Sequence, residues 1–273
     1  MQAKGTRTQA GPYQLFCRQW GTAGPVVVMI HGIPTNSYLW HTVAPTLGET
    51  CRVIAIDLLG YGQSDSGPVE DLTLPRQGEH ILALLDTLGI GQVHVVGHDL
   101  GGGIGQILAL QHSDRVLSMV VTDGVCFSNW PLPQVVGMRR PAAPAFEASP
   151  LIVQEMLRMG VFKPESLTAE LMAAFTQPVE MPGGAERLRN AALALEHHQT
   201  EALVPHLPSL QLPVTILWGQ HDRLLPAYWG WRLRDEIPGS HFTLIPNAGH
   251  FIMLDQPMLV AQELANHLQR AGR

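Results

Sequence analysis

The chain has 273 residues, 17 basic and 23 acidic side chains and a formal charge of -6 at pH 7, with 45% hydrophobic and 15% charged residues. Soluble domains average roughly 25% charged residues, so this is a core-rich globular chain and not a disordered one. The acidic balance offers no basic footprint, which argues against a nucleic-acid backbone or an anionic membrane surface as partner. Lys4 and Arg7 near the start are not followed by an apolar stretch, and no uninterrupted apolar run reaches about 18 residues. A cytoplasmic, unexported protein is therefore expected. The cysteines Cys17, Cys51 and Cys126 are odd in number and lack metal-type spacing. They read as buried thiols, with no disulfide framework and no metal.

In chain order, residues 13–20 read as an edge strand or hairpin, and 26–30 as a fully apolar strand. A strand from Val53 through Ala55 runs on through Ile56 to Asp57. A helix over 74–88 follows, with Ile81, Leu82, Leu84, Leu85 and Leu88 on one stripe. Then come a strand at 93–96, a helix at 101–111 and a strand at 117–122. Strands at 214–218 and 242–245 and a closing helix at 257–270 complete the alternation. It breaks between 126 and 212, 87 residues that hold ten of the 21 prolines and five of the ten methionines. Helical patterns at 151–159, 167–175 and 185–197 fill that stretch. The predicted fold class is α/β: residues 1–125 and 213–273 form one domain, a mostly parallel sheet flanked by helices. Residues 126–212 are an inserted helical cap, expected above the carboxyl ends of the strands, where ligands bind in such sheets.

Between the 93–96 strand and the next helix stands Gly97-His98-Asp99-Leu100-Gly101-Gly102-Gly103. A sharp strand-to-helix turn of this form exposes its central side chain, and glycines let the neighbouring backbones approach. Free N–H groups at the helix start can stabilise negative charge there. His31-Gly32-Ile33-Pro34 follows the 26–30 strand, a position from which the Ile33 N–H could complete an oxyanion hole with the Leu100 N–H. Asp222 lies four residues beyond the 214–218 strand, and His250 follows the 242–245 strand. The order is nucleophile, acid, histidine.

With these motifs the chain resembles the α/β hydrolases over nearly its whole length. An aspartate within Gly-His-Asp-x-Gly is similar to the branch holding haloalkane dehalogenases and epoxide hydrolases. Residues 31–40, His-Gly-Ile-Pro-Thr-Asn-Ser-Tyr-Leu-Trp, resemble the dehalogenase form of that loop. Residues 57–65, Asp-Leu-Leu-Gly-Tyr-Gly-Gln-Ser-Asp, match a recurrent superfamily segment without a catalytic group. The resemblance implies a cofactor-free hydrolase, haloalkane dehalogenase-like ahead of epoxide-opening, acting on a small, apolar molecule with water as co-substrate. An aspartate attacking an acyl carbon would give an anhydride, whereas on an sp3 carbon it gives an alkyl ester. Asp99 would form that ester, and His250, supported by Asp222, would deprotonate the water that cleaves it.

The leaving group needs its own partner. Where many dehalogenases carry a halide-binding tryptophan after the nucleophile and an asparagine after His-Gly, this chain has Leu100 and Ile33. Trp40 and Trp130 could supply an indole N–H instead. Epoxide hydrolases of this fold use cap tyrosines, and none lies between 126 and 212. Fluoroacetate dehalogenases carry arginines after the nucleophile, which 100–104 lacks. Asp123, ending the 117–122 strand, competes with Asp222 as the acid. His98 and His31 are expected to support the elbow and the facing loop. Two further readings stay open: ester, lactone or carbon-carbon hydrolysis with a non-covalent Asp99, and a silent ligand-binding protein of the same fold.

Overall fold

The computed structural model describes residues 3–139 and 148–272. Eight strands form one sheet: β1 (Lys4–Ala10), β2 (Tyr13–Trp20), β3 (Val26–Ile30), β4 (Arg52–Ile56), β5 (Val93–His98), β6 (Val116–Thr122), β7 (Val214–Gly219) and β8 (His241–Ile245). Their order is β1-β2-β4-β3-β5-β6-β7-β8. The β1–β2 and β2–β4 pairs are antiparallel and the rest of the sheet is parallel. Val27 to Ile30 and Val53 to Ile56 are wholly buried. That is why these segments read as continuous apolar runs: a parallel strand is covered on both faces.

β1 has no counterpart among the predicted elements. Its sequence, Lys-Gly-Thr-Arg-Thr-Gln-Ala, lies at the sheet edge and buries only Ala10. It is held by its ladder to β2, with Lys4 opposite Gln19 and Ala10 opposite Tyr13. A strand that buries almost nothing leaves no apolar period to read.

Outside the β6–β7 connection the helices are α1 (Ala44–Leu47), α2 (Leu74–Thr87), α3 (Leu100–Gln111), α9 (Tyr228–Glu236), α10 (Ile252–Asp255) and α11 (Pro257–Ala271). α2 buries Ile81, Leu82, Leu84 and Leu85 of the predicted stripe, with Leu88 half-buried as its C-cap, and packs on α3 and β1. α3 lies against β5 and β6. Between β6 and β7 run α4 (Pro133–Met138), α5 (Pro150–Gly160), α6 (Ala169–Glu180), α7 (Gly184–Leu193) and α8 (His198–Glu201). Among the described residues of 126–212 there is no strand; 140–147, within the predicted insertion, lie outside the described residues. Ser149 and Thr168 cap α5 and α6 by accepting the Ile152 and Leu171 N–H groups. The predicted helix at 185–197 is shorter, ending at Leu193. There the Arg139 guanidinium donates to the Ala192 and Leu195 carbonyls and to the Glu196 carboxylate, satisfying carbonyls that a longer helix would bond internally.

The three cysteines are buried and unbridged. No helix among the described residues is long and apolar enough to cross a membrane. Because β4 lies on one side of β3 and β5 on the other, the sheet's growth reverses between β3 and β5, leaving a crevice at their carboxyl ends. His31 to Pro34 and Asp99 meet there.

Candidate active site

β5 stops at His98 and α3 starts at Leu100, so the whole reversal falls on Asp99, with φ 51° and ψ -115°. A non-glycine residue with positive φ is strained and persists only where its surroundings fix it. Here the Asp99 carbonyl accepts the Gly102 and Val125 N–H groups, both at 3.0 Å. The turn also needs its glycines: a Cβ on Gly97 would lie 2.1 Å from the Gly101 carbonyl oxygen, and one on Gly101 2.2 Å from that of Ile30.

The Asp99 carboxylate is 6% exposed. Its Oδ1 accepts the Ile33 N–H at 2.9 Å, and the Leu100 N–H also bonds the carboxylate. Gly32 makes this approach possible, since a Cβ there would sit 2.0 Å from Oδ1. The other oxygen, Oδ2, lies 3.7 Å from His250 Nε2. His250 Nδ1 donates to Asp222 Oδ2 at 2.9 Å, while Asp222 Oδ1 accepts the Leu224 and Leu225 N–H groups at 2.8 Å each. One carboxylate oxygen thus takes the Ile33 N–H while the other faces the histidine. Asp222 fixes the ring so that Nε2 faces Asp99.

The supporting histidines stand where the motifs put them. His98 Nε2 donates to the His250 carbonyl at 3.0 Å, and the two rings are 4.6 Å apart. His31 Nδ1 donates to the Gly32 carbonyl and its Nε2 accepts the Leu58 N–H, a pattern that needs the neutral ring. Burial lowers the pKa of both rings. A tie that no motif announced is the His250 N–H donating to the Gly160 carbonyl at the end of α5.

Burial pushes the Asp99 carboxyl up to about 6, against the opposing pull of His250 and the Leu100 and Ile33 N–H groups. Burial draws His250 down, but the Asp222 charge and hydrogen bond, with Asp99 adding, leave it above its ordinary value. Only ionised Asp99 can act as a nucleophile. The rate of the first chemical step, measured by rapid mixing between pH 5 and 8, should therefore fall about tenfold per unit below pH ~6. A first step independent of pH across that range would contradict it.

Asp123 lies behind this pair at the end of β6, fully buried. Its Oδ1 accepts the Gly219 N–H at 2.7 Å. It is Asp222, not Asp123, that bonds His250 in the structure. Oxygen and nitrogen atoms of Asp123, Asp222 and His250 lie within 4.8 Å of one another, a spacing a metal could use. Asp222 already accepts the Leu224 and Leu225 N–H groups on Oδ1 and His250 Nδ1 on Oδ2, so both of its oxygens are engaged by donors.

The space in front of Asp99 is lined by Ile33, Leu100, Val125, Trp130, Leu132, Val135, Met156, Leu195, Leu224, Leu225 and His250. Its volume, about 10 Å³, is that of one water. Trp130 lines the space, but its indole N–H donates to Thr200 Oγ at 2.7 Å. Trp40 is fully buried with its indole N–H unpartnered, and it is not among the lining residues. Val125, Leu132, Met156, Leu195, Leu224 and Leu225 are not legible in the sequence as site residues. In sequence an apolar residue facing a pocket looks the same as one facing the core. A larger groove of about 840 Å³ runs past Arg18, Tyr38, Glu170 and Arg187 and contains none of Asp99, Asp222 and His250.

Residues 25–257 match the family described as alpha/beta hydrolase fold. The chain is an α/β hydrolase. This hydrolase is 30% identical over 251 residues to an uncharacterised protein of Mycobacterium tuberculosis, covering 86% of this chain and 72% of that one. It is 40% identical over 108 residues to a fluoroacetate dehalogenase of Burkholderia sp, a match of 38% of this chain and 35% of that one. A 2-hydroxy-6-oxononadienedioate/2-hydroxy-6-oxononatrienedioate hydrolase of Paraburkholderia xenovorans is 27% identical over 252 residues, 88% and 86% of the two chains. Among solved structures, an alpha/beta hydrolase fold protein from Burkholderia ambifaria superposes with a TM-score of 0.85 at 26% identity, covering 96% of this chain and 97% of that one.

Proposed function

We propose that this α/β hydrolase cleaves a carbon-halogen or epoxide carbon-oxygen bond of a small apolar molecule through a covalent ester on Asp99, with 126–212 as its cap. The observation that carries this reading is the division of the Asp99 carboxylate, with Oδ1 on the Ile33 N–H and Oδ2 free toward His250. Oδ2 attacks the sp3 carbon, and the leaving group departs with the bonding pair. The new ester carbonyl is Cγ–Oδ1, already seated on the Ile33 N–H, with the Leu100 N–H beside the same carboxylate. Alkylation also removes the Asp99 charge, one of the influences that hold the His250 proton. His250 Nε2 then takes a proton from water, whose oxygen bonds Cγ while negative charge collects on Oδ1. Loss of one such donor typically costs about 2.7 to 4 kcal/mol of transition-state stabilisation. Collapse breaks Cγ–Oδ2, and the alcohol leaves with the proton from His250.

The product alcohol keeps the old Oδ2, and the water oxygen stays in Asp99. One turnover in heavy-oxygen water should therefore label the Asp99 peptide and not the alcohol. Label in the product alone would overturn the covalent route. It would favour the second reading, carbon-carbon or ester hydrolysis with Asp99 as a general base, which the near full-length likeness to the dioate hydrolase supports.

The lining also speaks to substrate charge. The described residues around Asp99 include no arginine or lysine, and a carboxylate buried there would be unpaired at a cost of several kcal/mol. We expect kcat/KM for a short bromoalkane to exceed that for bromoacetate by at least about 100-fold. Parity between the two would contradict an uncharged apolar substrate.

A further inference from the structure

We propose that Asp123 is a positioning residue for the Asp222–His250 pair, a neutral carboxylic acid whose hydroxyl, on Oδ2, donates to the Asp222 carboxylate. The proposal rests on the reading of Asp222 and His250 as the acid and base of the reaction. Three observations lead to it. Asp123 takes its place at the end of β6 with φ 43°, a left-handed conformation that costs free energy in a non-glycine residue and turns the chain under the site. Its Oδ1 is occupied by the Gly219 N–H, whereas its Oδ2 is sealed from solvent with no hydrogen-bond partner assigned to it. The Asp222 carboxyl is its hydrogen-bonding neighbour, with oxygens of the two groups within 4.8 Å of each other.

Two buried carboxylates so close cannot both be ionised. The hydrogen bonds decide which keeps the proton. Asp222 receives three N–H donors, from Leu224, Leu225 and His250. Asp123 receives one. The charge is held where the donors are, and the proton stays on Asp123, in agreement with burial and the Asp222 charge raising its carboxyl well above the usual range. Asp255 on α10 adds a further negative charge nearby, its own oxygens taken by the Phe162, Lys163 and Gly249 N–H groups. Neutral His98 packs on the far side of His250. Asp123 thus supplies Asp222 with a fourth hydrogen bond without a second charge behind the imidazole. That keeps the Asp222 oxygen on His250 Nδ1 and stops the base from being locked in its protonated form.

The test begins without substrate. At pH 8, where Asp99 is ionised, the infrared spectrum of the intact protein should contain the C=O stretch of a buried carboxylic acid that shifts in heavy water and disappears in Asp123→Asn. Absence of the band, or its survival in that variant, overturns the proposal, and neither result depends on whether Asp99 is a nucleophile. In turnover, Asp123→Ala should lower kcat at least about tenfold with KM within twofold, and Asp123→Asn, which retains a neutral donor, should restore most of that loss. The acid limb of kcat should stand at the same pH in Asp123→Asn as in the wild type. A limb shifted to lower pH would mean that an anionic Asp123 had been removed, and would overturn the proposal even if Asp123→Ala failed to fold.

Discussion

Mixed with a short bromoalkane or epoxide, the His250→Gln variant should stop at the ester. One equivalent of halide per site, or of opened epoxide, forms at close to the wild-type rate, and the peptide containing Asp99 gains the mass of the alkyl group. The reason lies in the division of labour around the carboxylate. Oδ2 attacks without help from the imidazole, while cleavage of the ester needs a base 3.7 Å away to activate water. Glutamine fills the same space but cannot take a proton, so the second step should slow by about 10² to 10⁴. Intact-protein and peptide mass spectrometry after minutes of incubation reads the adduct directly. Undiminished steady turnover, with no mass added to Asp99 across a panel of haloalkanes and epoxides, would sink the covalent mechanism.

Substitution at Asp99 itself should separate activity from stability. Asp99→Ala should lose about 10⁵-fold or more in turnover, the scale on which enzymes lose activity with their nucleophile. Asp99→Asn should be more stable than the wild type at alkaline pH. The folded-state value of about 6 lies above the value of about 3.9 for an unfolded aspartate. The folded state therefore binds the proton more tightly, and ionised Asp99 costs it about 3 kcal/mol. That cost is fully present above pH ~6 and disappears as the pH falls toward ~4. A neutral asparagine escapes it but gives up the charge-assisted bond from the Ile33 N–H, leaving a gain of about 1 to 2 kcal/mol at pH 8. Thermal melts should show the Tm advantage of Asp99→Asn narrowing steadily between pH 7 and 5. A variant less stable than the wild type at pH 8 would show that the buried charge is better compensated than its surroundings imply.

Much of this could be read before any contact was known. The β3 and β2 boundaries, the α2 stripe, the elbow at Asp99 and the chain order of Asp99, Asp222 and His250 follow from residues adjacent in sequence. Each answers a local requirement: apolar continuity for a strand covered on both faces, a period near 3.6 for a helix, and glycines where backbones must touch. Tertiary structure decided the rest. β1 exists only as a partner for β2. Trp130, offered by sequence as a free indole donor, is bonded to a threonine 70 residues away. Met156 on α5, Leu195 just past α7 and Leu224 in the loop after β7 became pocket walls because segments distant in sequence meet in front of Asp99. Which of Asp222 and Asp123 meets His250 likewise depends on the folded chain: Asp123 follows β6, Asp222 lies in the turn after β7, and it is Asp222 that bonds His250 Nδ1. Local sterics are written in consecutive residues. Which side chain meets which depends on the closure of the whole chain, and there the sequence alone left two acids and two tryptophans unresolved.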